Sequence, residues 1–113
     1  MLNQVVLVGR IVKEPELKKT ENGKSVTNLT IAIPRPYKNY DGEYEADFVP
    51  CILWTGIAEN TVEYCGKGDL VGIRGRIQTR VAEINEEEKR QYVEVVAERV
   101  TFLAGKKKEE TAN

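Results

Sequence analysis

Arg74, Arg76 and Arg80 recur at even spacing in Leu70-Val71-Gly72-Ile73-Arg74-Gly75-Arg76-Ile77-Gln78-Thr79-Arg80. In an extended strand, side chains alternate between two faces. Arg74, Arg76, Gln78 and Arg80 therefore point one way, and Val71, Ile73 and Ile77 the other. A row of guanidiniums backed by a packed face suits an anionic polymer. Several aromatics fall in nearby strand and loop segments. Aromatic platforms beside a basic groove are what binding of single-stranded nucleic acid requires.

Other chemistries are poorly served. The chain has no histidine, so the commonest general base near neutral pH is missing. Ser25 is the only serine and sits in a turn, and Glu86-Glu87-Glu88 reads as a solvated charge run. No Gly-rich phosphate cradle of the P-loop kind occurs. Cys51 and Cys65 without histidine cannot supply four zinc ligands, and their spacing is too wide for a redox pair. They read as small buried hydrophobes. No enzyme activity, cofactor or metal is expected. The 17 basic and 18 acidic residues give a net charge of -1, so charge distribution must carry any nucleic-acid reading. Arginines cluster at 74–80, and Glu83, Glu86, Glu87 and Glu88 gather beyond them. No apolar run approaches the roughly 18 residues of a membrane span, and the N-terminus lacks a signal-peptide pattern. A soluble, cytoplasmic protein is expected.

The elements that must position these residues follow from periodicity. Residues 3–13 form an apolar strand with a bend or bulge at Gly9. Glu14-Pro15 breaks it, and Asn22-Gly23 marks a turn. Residues 26–33 alternate, with Leu29, Ile31 and Ile33 inward, and Pro34 and Pro36 should stop ladder pairing. A long hairpin tip at Tyr37–Glu45 leads to a third strand at 46–54. Ile57, Thr61 and Tyr64 then share a helical face, with Thr55 or Gly56 as cap. Tyr64 is expected in core or interface. The arginine strand is fourth, 83–90 a charged loop, and 91–103 a fifth strand. Three strands, a helix and two strands is the order of an all-β OB-fold, a five-stranded Greek-key barrel with one short helix. Hairpins imply antiparallel pairing. Residues 1–104 make one domain, and 105–113 a disordered polar tail.

In that order, several motifs resemble the bacterial single-stranded DNA-binding (SSB) family. They are Asn3-Gln4-Val5-Val6-Leu7-Val8-Gly9-Arg10, Glu14-Pro15-Glu16-Leu17, Asn22-Gly23, Gly42-Glu43, Ala58-Glu59, Tyr64, Lys67-Gly68 and Gly75-Arg76-Ile77-Gln78-Thr79-Arg80. Tyr92 onward resembles the family's fifth strand. The resemblance implies sequence-independent binding and protection of single-stranded DNA in replication, recombination, repair or DNA uptake. It also implies a homotetramer associated with the nucleoid. It places base-stacking aromatics at Tyr37, Phe48 and Trp54, although Phe48 and Trp54 also suit a barrel core. It places basic contacts at Arg80, Lys18 and Lys67. Arg74 and Arg76 join Arg80 by strand parity, or else form salt bridges to Glu94, Glu98 or a neighbouring subunit. Arg35 and Lys38 flank Tyr37, and Arg10 and Arg35 are further phosphate candidates. Tyr40 and Tyr44 could add stacking. A protein-interaction adaptor or a single-stranded RNA binder are the alternatives.

Two features depart from the family pattern. Ala82 stands where many members carry an aromatic, so one stacking platform is expected to be missing. The chain runs to Asn113 through Lys106-Lys107-Lys108, without an acidic amphipathic tip. Recruitment of replication partners through such a tip is not expected. The polar ending reads as natural, as in short accessory paralogs.

Overall fold

The computed structural model describes residues 1–106. Most of the 105–113 tail therefore lies outside the described residues. Gly105 and Lys106 are included, and the Lys106 backbone N–H donates to Asp69 Oδ1 at 2.9 Å.

The elements are β1 (Val5–Ile11), β2 (Lys18–Lys19), β3 (Ser25–Lys38), β4 (Tyr44–Trp54), α1 (Thr55–Tyr64), β5 (Leu70–Glu83) and β6 (Lys89–Ala104). The sheet order is β1-β5-β6-β4-β3-β2, and a further β1–β3 pairing closes the barrel. Five long strands and one helix form an OB-fold barrel, with β2 as a two-residue addition. Most pairings are antiparallel, as hairpins require. The expectation fails at one seam, where β4 and β6 run parallel at Cys51↔Val95 and Ile52↔Val96. Helix α1 and the return of β5 supply that crossover.

Alternation builds the core. Leu29, Ile31, Cys51, Leu53, Val71, Ile73, Val95 and Ala97 turn inward, joined by Ile11 and Ala58. Burial pushes the Cys51 thiol up to about 11 and also raises Cys65. Both are buried thiols, as their sequence context suggests.

Several boundaries move. The residues after Pro34 do not leave the sheet: β3 runs to Lys38, and Pro34 pairs with Ala46. Pairing of β1 with β3 has ended at Ala32, so the missing proline N–H can face an open side. Between Pro34 and Lys38 the register shifts, with three intervening residues on β3 against one on β4. The 83–90 segment is no loop either. Strands β5 and β6 continue to Glu83↔Lys89, leaving only the turn at 84–88.

Gly9 makes no bulge, because β1 pairs evenly with β5 through Gly9↔Val71. Its role is a close crossing. A Cβ there would lie 2.7 Å from the Ala32 carbonyl oxygen. The chain before Val5 is not strand, yet Asn3 prolongs the ladder with its side chain. Its amide donates to Ile77 O at 2.8 Å and accepts from Ile77 N at 2.9 Å.

Helix α1 starts after Trp54, which occupies the N-cap without a side-chain cap bond, so neither Thr55 nor Gly56 caps it. It turns Ala58 and Thr61 inward. Tyr64 is exposed, not core.

Candidate nucleic-acid interface

The outer face of the barrel is built by the residues that alternate with the core. On β4 these are Phe48, Pro50, Ile52 and Trp54, and on β3 Val26, Asn28, Thr30 and Ala32. The register then carries the face across the parallel seam. Asn28 pairs with Ile52, Ile52 with Val96, and Val96 with Arg76. One continuous row therefore joins the aromatic strand to the arginine strand. Gln78 pairs with Glu94 and Arg80 with Tyr92 along the same parity.

Phe48 and Trp54 stand on this face. Phe48 is 62% exposed, too open for barrel core, and Trp54 is half-buried beside Thr20, Asn22, Lys24 and Thr55. Thr55 takes a positive φ of 51°, which a β-branched residue adopts only under strain. That kink turns the chain from β4 into α1 at the residue after Trp54. Lys18 is exposed on β2 and lines a cleft with Asn28, so it borders the same face.

Tyr37 is set apart. The register shift at Pro34–Lys38 re-aims the strand, as bulges do. Tyr37 is 61% exposed and lines a cleft with Arg35, Lys38, Asn39, Tyr40 and Glu45. The Lys38 ammonium lies 5.6 Å from the Tyr44 ring centre. The structure therefore groups Tyr37 and Lys38 on the β3–β4 hairpin, away from the regular Phe48–Trp54 ladder.

The arginines divide by partner. Arg35 donates from Nε and Nη2 to Asp47 Oδ1 at 3.0 and 2.8 Å, and from Nη1 to Glu45 Oε1 at 3.2 Å. The Asp47 hydrogen bonds, and then its charge, raise the Arg35 pKa, and Arg35 in turn lowers that of Asp47. As a phosphate contact, Arg35 is already occupied. Arg10 is also spoken for. Its Nη1 donates to Gly68 O at 2.8 Å and, more weakly, to Gly105 O at 3.5 Å, clamping the barrel end. The alternative that paired Arg74 or Arg76 with Glu94 is not realised: Arg80 takes that carboxylate, Nε to Oε1 at 3.1 Å. Glu94 lies opposite Gln78, two pairs from Arg80 and two from Arg76, and of these two arginines only Arg80 bonds to it. Among the described residues, Arg74 and Arg76 form no ion pair. Arg76 reaches only Gln78 Oε1, at 3.4 Å. Lys67 is exposed in the turn after α1, its backbone N–H held by Glu14 Oε2.

Ile77 does not join the core with Val71 and Ile73. It is 44% exposed, because β5 has passed the end of the barrel there. Sequence reading missed Arg99, which pairs with Arg74, and Arg90, which pairs with Ala82. Both are readable only once the β5–β6 register is known.

An OB barrel whose outer face joins exposed aromatics to unpaired arginines defines the class: a barrel suited to a polymer with flat bases and an anionic backbone. Comparison with known proteins makes the class specific. The Single-strand binding protein family matches residues 2–103, and the chain belongs to that family. It is 52% identical over 114 residues to Single-stranded DNA-binding protein B of Bacillus subtilis, covering 100% of both chains. It is 52% identical over 103 residues to the Single-stranded DNA-binding protein of Halalkalibacterium halodurans, covering 91% of this chain and 61% of that one. Single-stranded DNA-binding protein A of Bacillus subtilis is 50% identical over 107 residues, covering 94% and 62%. The chain thus spans the first relative whole and about three fifths of the other two.

Proposed function

We propose that this protein binds single-stranded DNA without strong sequence preference and acts by binding rather than by catalysis. The observation that supports the reading is the cross-strand row Asn28–Ile52–Val96–Arg76, which joins the outer face of the strand bearing Phe48 and Trp54 to that of the strand bearing Arg76. Phe48 and Trp54 stack on bases, and every base has a π-face, so stacking tolerates any sequence. Tyr37 extends the path onto the β3–β4 hairpin. Arg74, Arg76, Lys18, Lys38 and Lys67 serve phosphates. Each neutralised phosphate releases counterions, so affinity falls with salt at a slope of about -0.7 per phosphate.

Residues 1–104 make the binding domain, and the chain works in the cytoplasm on exposed strands during replication, recombination, repair or uptake. Among the described residues no helix is long and apolar enough to cross a membrane. The working form is a homotetramer. Val5–Val8 pair only with β5, which leaves a strand edge open, and Val6 and Val8 are 71% and 48% exposed. An open apolar edge invites pairing with another copy. Light scattering at micromolar concentration should return a tetramer mass, and a monomer mass would remove this claim.

Binding itself is tested with end-labelled oligo(dT), a matched duplex and an oligoribonucleotide competitor at one salt concentration. The single strand should bind far more tightly than the duplex, whose base faces are hidden. Equal affinity for both would refute the reading.

A further inference from the structure

A buried carboxylate in the middle of a surface meant for a polyanion is an unexpected choice. The Glu94 side chain is only 9% exposed, and it lies on the same strand parity as Arg76, Gln78 and Arg80. Both of its oxygens are used. Oε1 accepts from Arg80 Nε at 3.1 Å, and Oε2 accepts from Gln78 Nε2 at 2.9 Å. A buried charge persists only when its partners satisfy it, and these two do. What the arrangement fixes is Arg80. Its guanidinium carbon sits 4.9 Å from the centre of the Tyr92 ring, its pair across the ladder. That is cation–π distance. The Arg80 side chain remains 56% exposed, and Tyr92 37%. Two positions further on, at Ala82, the strand offers only a methyl group.

We propose that Arg80 and Tyr92, held by Glu94 as a positioning residue, form a stacking platform for a nucleobase of single-stranded DNA. Arg80 is then not one of the phosphate-neutralising cations. This rests on the single-strand reading above. A guanidinium plane stacks on bases much as an aromatic ring does. Its charge is already matched by Glu94, so docking a phosphate there would release little counterion. Arg74 and Arg76 have no carboxylate partner among the described residues and carry the salt-dependent part.

The test is affinity for oligo(dT) across a salt series. Arg80→Ala should weaken binding about tenfold at every salt concentration with the slope unchanged. Arg76→Ala should make the slope shallower by about 0.7. Tyr92→Leu should match Arg80→Ala, and Tyr92→Phe, which keeps the ring, should recover that loss. Glu94→Gln should steepen the slope by about 0.7, because it uncovers the Arg80 charge. If Glu94→Gln does not fold, the exposed Arg80 and Tyr92 variants decide the matter alone. A slope that falls by about 0.7 in Arg80→Ala, with Tyr92→Leu binding like the parent, would overturn the platform. Failure of the single-strand reading looks different: the parent protein itself would bind no oligo(dT), and the platform would fall with it.

Discussion

Both long hairpins carry an arginine, a tyrosine and a carboxylate past the end of the barrel, but they hold them differently. On β3–β4, Arg35 meets Asp47 and Glu45 in the open, with the arginine 39% exposed and each carboxylate 51%. The ladder beneath is broken at Pro34–Lys38. On β5–β6, Arg80 meets a carboxylate that is 9% exposed, and pairing is unbroken from Gly75↔Ala97 to Glu83↔Lys89. Exposed pairs contribute little and are screened by salt, whereas partly buried ones are screened far less. The same three residue types therefore give a loose clasp on one arm and a fixed support on the other. Burial of the carboxylate and continuity of the ladder make the difference.

The largest effect should come from breaking the root of the rigid arm. A Cβ on Gly75 would lie 2.1 Å from the Val96 carbonyl oxygen, and backbone cannot move aside cheaply. Gly75→Ala should lower stability by about 3 kcal/mol in urea denaturation. Gly42 at the tip of the loose arm has φ +78 but open space around it. Gly42→Ala should cost only about 1 kcal/mol, the left-handed penalty alone.

Next in size are the outward aromatics of β4. Phe48→Ala and Trp54→Ala should each weaken oligo(dT) binding by about 1–3 kcal/mol, read by titration of a labelled strand. Folding should change little for Phe48→Ala, since that ring packs mostly against solvent.

A smaller effect sharpens the contrast of the clasps. Asp47→Asn with Glu45→Gln should free Arg35 and steepen the salt slope by about 0.7. An unchanged slope would mean that Arg35 never faces DNA. The smallest effect is in pH. Arg35 holds the Asp47 carboxyl below the ordinary carboxylate range, chiefly by hydrogen bonding. A lowered folded pKa gives stability that is present above the unfolded value and is lost as pH falls through the folded one. Carboxyl NMR should place the Asp47 midpoint below that of a free aspartate, and Arg35→Ala should return it there.

Much of this was legible in single strands. The alternation at 70–80 put Arg74, Arg76 and Arg80 on one face, because parity needs no partner. The element order announced the barrel, since three strands, a helix and two strands leave few closures. What single strands could not tell was which residue meets which. Glu94 was one of several alternative partners for Arg74 and Arg76, because its place opposite Gln78, within reach of Arg80, depends on where the 84–88 turn falls. Pro34 looked like a strand end, because nothing local says that its neighbour on one side is absent. Ile77 looked like core, because periodicity does not reveal where a barrel stops and an arm begins. For Tyr64 the core half of the core-or-interface reading fails for a similar reason: a helical face says what is aligned, not what covers it.

The central claim is that single strands lie on the face holding Trp54, the only tryptophan. The most direct measurement is Trp54 fluorescence during titration with oligo(dT), beside a duplex control, at two salt concentrations. Strong quenching by the single strand alone, weakened at the higher salt, is the predicted result. Binding of labelled oligo(dT) that leaves Trp54 emission unchanged would contradict it and move the DNA to another face.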